Sequence, residues 1–133
     1  MIIFKAIFIS FLLTFNGGKI LISLIKKQKV KIKIFNKKEI AVKNSDVVMT
    51  DKIISLNDKV NKKKKLKSFK NFKVDTKTMN LAKKDAIFLH CLPRGNEVTE
   101  EVFLGKQSRV WQQALNRVYV QKSILLYCFG KLR

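Results

Sequence analysis

The sequence predicts an α/β domain built on a parallel sheet covered by helices, and three observations predict it. Short apolar runs at Val30–Phe35, Val47–Met49 and Ala86–Leu89 read as strands. Helical patterns alternate with them, and that strand–helix–strand rhythm implies parallel pairing. Gly and Pro are scarce, five and one in 133 residues, so few breaks interrupt the regular elements.

Residues 1–18 stand apart from this pattern. Met1–Phe15 is almost wholly apolar, and Asn16-Gly17-Gly18 ends it. A comfortable membrane span needs roughly 20 apolar residues, so the run is short for one. A secretory signal would carry positive charge ahead of the apolar core and a small-residue cleavage site behind it; here Lys5 sits inside the run. Three readings stay open: a scar from a false start or frame change, a signal or anchor, and a buried strand or helix. The first is favoured, which makes 1–18 a segment foreign to the domain and 19–133 the domain proper.

From Lys19 the order is regular. Lys19–Gln28 places Ile20, Leu21, Leu24 and Ile25 on one helical face. Val30–Phe35 alternates in steps of two. Asn36 is suited to cap a short helix, Lys37–Lys43, that would bury Ile40, Ala41 and Val42. Val47–Met49 follows as a strand. Leu66, Phe69 and Phe72 are spaced by three inside the polar stretch 51–73, which predicts one helix there. Asp75 is suited to cap Thr76–Lys83, and Thr99 to cap a short helix carrying Val102 and Phe103. Gln112–Tyr127 predicts a long helix burying Ala114, Val118 and Leu125. There is no internal repeat.

Composition narrows the function classes. With 47% hydrophobic residues the chain is no disordered tail. Lys+Arg 29 against Asp+Glu 9 gives a formal charge of +20, which raises nucleic acid, an anionic membrane or an anionic substrate as partners. Only Arg94, Arg109, Arg117 and Arg133 are arginines, whereas nucleic-acid readers favour the flat arginine fork. High Lys with high Ile and Asn looks instead like the coding bias of an A+T-rich genome, and Lys62–Lys65 reads as a solvated face. No nucleic-acid or membrane partner is therefore expected. Cys91 and Cys128 form no metal-type spacing and no disulfide framework, so no metal is expected and a reducing, cytoplasmic location is the default.

Ligands of open parallel sheets sit beyond the carboxyl ends of the strands. That rule selects residues 50–57 and 90–96. The second holds His90-Cys91-Leu92-Pro93-Arg94, a ring, a thiol and a guanidinium around the single proline. Pro93 biases Leu92 toward extended geometry, which frees the carbonyls of Cys91 and Leu92 to accept bonds from a ligand. A buried Cys is often only a small apolar residue, and a lone His only a bonded core group. Asp51 with Ser55, and Asn116-Arg117 on the last helix, say little singly.

Together these segments resemble one family. Asp85–Phe103, DAIFLHCLPRGNEVTEEVF, looks like the ornithine carbamoyltransferase segment around its His-Cys-Leu-Pro motif. Ser108–Leu126 is similar to that family's closing helix with its Asn-Arg pair, and Asp46–Lys59 to the loop that receives the ornithine head. The likeness runs from about Lys19 to the C-terminus, in order and without large gaps. It implies the C-terminal, ornithine-binding domain: a Rossmann-like parallel sheet with helices on both faces, here incomplete. The implied reaction joins carbamoyl phosphate and L-ornithine into L-citrulline and phosphate, a step of arginine biosynthesis, without a cofactor. By the same resemblance Asp51, Ser55 and Leu56 would bind ornithine, with Asp51 and Cys91 at its amine end and Cys91 helping to take up the proton. The carbonyls of Cys91 and Leu92 would hold the carbamoyl amide, and Arg117 would donate to the carbamoyl oxygen and the anion. The family is typically homotrimeric.

Departures from the family pattern accompany the likeness. Ser55-Leu56-Asn57 stands where Ser-Met-Gly is usual, and Leu115 where a Glu precedes Asn-Arg. The Ser-x-Arg-Thr phosphate cradle and the His-Pro-x-Gln segment are not in this sequence, so the chain alone is expected to be inactive; the family domain's first strand is missing too, so the sheet is expected to carry an unpaired apolar edge. Two other readings remain: a carbamoyltransferase with another amine acceptor, motivated by Leu56-Asn57, and a basic, non-enzymatic surface-binding protein.

Overall fold

A computed structural model describes residues 6–8, 33, 35–54 and 62–131 of the chain. Three strands make one sheet: β1 (Ala6–Phe8), β2 (Val47–Thr50) and β3 (Ile87–His90), in that spatial order and all parallel. Among the described residues five helices accompany them: α1 (Lys38–Val42), α2 (Lys62–Phe69), α3 (Thr76–Met79), α4 (Glu100–Phe103) and α5 (Val110–Cys128). A 3-10 turn, Lys70–Phe72, continues α2. The α/β class with a parallel sheet is thus as the sequence implies.

β1 lies inside the apolar leader and pairs with β2 through Ala6↔Val47, Ile7↔Val48 and Phe8↔Met49. β2 therefore has a partner on each side, and β1 and β3 are the outer strands among the described residues. Residues 6–8 of the leader form a strand, and the rest of residues 1–18 lies outside the described residues. The helix expected at Lys19–Gln28 lies outside the described residues. So does most of the strand expected at Val30–Phe35, of which Lys33 and Phe35 are described and carry no strand pairing.

The core follows from strand alternation. Val48 and Thr50 on β2, and Phe88 and His90 on β3, are buried on one face of the sheet, while the residues between them are half-buried. Val42, Val74, Met79, Val98, Val102, Phe103 and Val110 pack with Val48 and Phe88. Each such fully buried side chain stabilises the fold by about 1.5–3 kcal/mol relative to exposure.

Several boundaries differ from expectation for local reasons. Lys37, not Asn36, sits at the N-cap of α1, and no side chain caps that helix. Of the three residues expected inside, Val42 is buried, Ala41 half-buried and Ile40 55% exposed, because a five-residue helix turns only a narrow face inward. Phe69 is buried and Phe72 half-buried, whereas Leu66 is exposed. Thr99 stands at the N-cap of α4 in extended geometry without bonding the helix amides. On α5 only Val110 is buried; Ala114 is half-buried, and Val118 and Leu125 are 57% exposed. Helix α5 packs its start on β3 and then runs past the sheet, so among the described residues nothing covers the face its periodicity would bury.

Asp75 is an N-cap as its position predicts. Its Oδ1 accepts from Thr78 N at 2.8 Å and from the Thr78 hydroxyl at 2.6 Å. The Thr78 hydroxyl bond is the main reason its carboxyl titrates below the ordinary 3.8, and the Thr78 amide and Lys38 add to it against burial. Asp75→Ala is expected to lower stability by about 1 kcal/mol at neutral pH. A carboxyl depressed in the fold stabilises above its unfolded pKa, so the difference between variant and wild type should be full above pH 3.8. It should fade as pH falls further, through the folded value. Urea melts across that range check it; a gap that does not change with pH would contradict the cap.

Candidate active site

The sheet register builds the site. Thr50 pairs with His90, so the residues that follow, Asp51 and Cys91, leave adjacent parallel strands side by side although they are 40 apart in sequence. Cys91 Sγ donates to Asp51 Oδ1 at 2.8 Å. The same oxygen accepts from Lys52 N at 2.7 Å, which fixes the carboxylate against the strand end. Both residues are partly buried.

This environment sets the protonation of the thiol. Burial pushes Cys91 up to about 11, the bond to Asp51 adds to it, and the Lys52 amide opposes. At neutral pH Cys91 is a neutral thiol and a donor, unlike the activated thiolates found beside cationic groups.

Beyond Cys91 the chain turns through a cis Leu92–Pro93 bond. Leu92 is 44% exposed. Among the described residues no group donates to the carbonyl of Cys91 or of Leu92. Arg94 lies over the Phe103 ring, 5.5 Å from its centre, and reaches Glu100 at 3.6 Å.

Below this turn is a pair that sequence reasoning missed. His90 Nε2 and Glu97 Oε1 are 2.8 Å apart, and both side chains are buried. Glu97 Oε1 also accepts from Gly95 N at 2.6 Å. Burial raises the Glu97 carboxyl, but the bonds from His90 and the Gly95 amide outweigh it and hold the group below its ordinary 4.5. It is therefore an ionised, acceptor-only carboxylate, and the proton of the pair sits on His90 Nε2. The His90 ring packs edge-on to Phe88 and Phe103, 6.3 and 6.0 Å between centres. No sequence signal separates Glu97 from the solvated acids around it, Glu100 and Glu101.

The expected site residues divide into three groups. Asp51, Cys91 and Leu92 are brought together. Ser55 and Leu56 lie outside the described residues. Arg117 is exposed on α5 and makes no contact with the Asp51–Cys91 pair. Its neighbour Asn116 accepts from Gln112 at 3.0 Å along the helix.

A carboxylate and a thiol converge here beyond two parallel strand ends, the edge at which open α/β sheets bind their ligands. Residues 16–128 match the sequence model for the aspartate/ornithine carbamoyltransferase Asp/Orn binding domain. This chain belongs to the aspartate/ornithine carbamoyltransferase family.

Among the proteins that it resembles are ornithine carbamoyltransferases. It is 46% identical over 104 residues to an ornithine carbamoyltransferase of Nitratiruptor, covering 77% of this chain and 34% of that relative. It is 52% identical over 94 residues to one of Methanococcus maripaludis, covering 68% and 31%. Among solved structures it resembles the anabolic ornithine carbamoyltransferase of Campylobacter jejuni, with a TM-score of 0.72 and 38% identity over 85% of this chain and 38% of that one. The chain spans about a third of the length of the curated relatives it matches.

Proposed function

We propose that this chain supplies the ornithine side of the ornithine carbamoyltransferase reaction, carbamoyl phosphate plus L-ornithine giving L-citrulline and phosphate, within cytoplasmic arginine biosynthesis. The observation that carries the reading is the Asp51–Cys91 pair at adjacent strand ends, in a chain of this family.

The chemistry follows from the pair. An alkyl ammonium of pKa about 10.4 cannot attack until it loses a proton. Asp51 attracts the ammonium and Cys91 lies beside it. A neutral thiol can take the substrate's proton only while passing its own to Asp51, and the Cys91 Sγ bond to Asp51 is already aligned for that transfer. The freed amine then attacks the carbamoyl carbon. In this reading the carbonyls of Cys91 and Leu92 accept from the carbamoyl NH2, Ser55 and Leu56 seat the amino-acid head, and Arg117 stabilises the developing oxyanion and phosphate. No metal or cofactor enters these steps. The Arg117 role has the least support, since its side chain is exposed in this chain.

The test pairs the chain with the carbamoyl-phosphate-binding remainder of a relative and measures citrulline, alongside calorimetric titration of the chain with L-ornithine. Citrulline formed from ornithine supports the reading. A folded complex giving neither citrulline nor ornithine binding sinks it. Preference for another amine in a substrate panel would transfer the activity to a different acceptor. Salt-sensitive binding to DNA or anionic vesicles in place of ornithine would support the basic surface-binding alternative.

A further inference from the structure

Glu97 is a buried carboxylate in a segment otherwise made of turns. Leaving such a charge inside the protein is costly unless bonds compensate it. Its backbone is tied down by Val74, whose N–H donates to Glu97 O at 2.9 Å and whose carbonyl accepts from Thr99 N at 2.9 Å. Its carboxylate reaches back across the turn to His90, the last residue of β3, and to Gly95. The segment between those two contacts contains Cys91 and Leu92. Glu97 thus acts as a strut from a fixed strand-like anchor to both ends of the turn.

We propose that Glu97 is a positioning residue: tied to His90 Nε2 and Gly95 N–H, it holds the 91–95 turn so that Cys91 and Leu92 face the amino-acid substrate beside Asp51. The proposal rests on reading that turn as part of the ornithine site. Glu97 makes no hydrogen bond with Asp51 or Cys91, but its charge adds a little to the upward shift of the Cys91 thiol. That direct effect is lost in Glu97→Gln as well as in Glu97→Ala, so the difference between these two variants reports the turn.

Two variants break the strut differently. Glu97→Ala removes it. Gly95→Ala adds a Cβ that would lie 2.6 Å from Glu97 Oε2 and 3.0 Å from Oε1, so the carboxylate must move off its partners. Glu97→Gln is the conservative control, because its amide oxygen can still accept from both His90 and Gly95.

The experiment uses the full 133-residue chain in a Cys128→Ser background, which leaves Cys91 as its one thiol. Iodoacetamide alkylation is followed against pH, and L-ornithine affinity by calorimetry, on variants shown to be folded by circular dichroism. Glu97→Ala should alkylate about tenfold faster at neutral pH and bind L-ornithine about tenfold more weakly, the scale of one lost hydrogen bond. Gly95→Ala should move both readouts the same way by less, and Glu97→Gln should stay close to wild type. If Glu97→Ala does not fold, Gly95→Ala decides the matter. Wild-type alkylation and affinity in the folded disruptive variants would overturn the proposal. So would Glu97→Gln behaving as Glu97→Ala, since charge and not position would then be the cause. If the wild-type chain binds no L-ornithine but the alkylation order holds, the ornithine reading fails while the positioning role stands.

Discussion

Phe88→Ala is expected to lower the unfolding free energy by about 3–5 kcal/mol, the range for emptying a buried aromatic site. Phe88 is fully buried on β3 and pairs with Val48 across the sheet. Its N–H donates to Gln107 O and its carbonyl accepts from Arg109 N, both at 2.8 Å, so the strand also holds the segment leading into α5. These backbone bonds survive the substitution and limit how far the surroundings can collapse into the cavity. Domains of this size have total stabilities of about 5–15 kcal/mol, so the loss is about a fifth of the total or more. Urea unfolding measures it as a fall in midpoint at unchanged slope. A loss under about 1 kcal/mol would place the core elsewhere than on β3.

Asp51→Asn is the complementary case, with a large effect on binding and a small one on the fold. The amide oxygen can still accept from Lys52 N and from the Cys91 thiol, so stability should hold within about 0.5 kcal/mol. What disappears is the negative charge proposed to meet the ornithine side-chain ammonium. Hydrogen bonds to charged groups contribute about 1.5–3 kcal/mol, so L-ornithine affinity should fall about 10- to 100-fold. The charge also contributes to holding the Cys91 thiol at about 11, so the alkylation midpoint of Cys91 should fall. Calorimetry and the pH profile of alkylation read the two effects separately. A folded variant with unchanged ornithine affinity would remove Asp51 from the site.

The two predictions draw on features that differed in how readily the sequence disclosed them. β2 and β3 were legible because each is a short apolar run between polar segments, and the Asp75 cap because an acceptor side chain stood just ahead of a helical stretch. The His-Cys-Leu-Pro segment was legible both as chemistry at a strand end and as a family resemblance. Helix α5 was legible as a helix but not in its burial. Periodicity reports which residues share a face, while burial needs an element opposite, and among the described residues Val118 and Leu125 have none. Glu97 was not legible at all, because its burial depends on a partner seven residues away and on Val74 beyond.

By itself the sequence determined the α/β class, the family, and the two strand ends at which the site is proposed. Each is written in local order: apolar runs, helix starts, and a contiguous motif around Pro93. Tertiary structure alone decided that Asp51 and Cys91 share a hydrogen bond, that the thiol is a donor held neutral, and that Glu97 braces the turn behind it. The reason is register. Pairing Thr50 with His90 sets which residues leave the sheet together, and no property of either strand taken singly specifies that alignment.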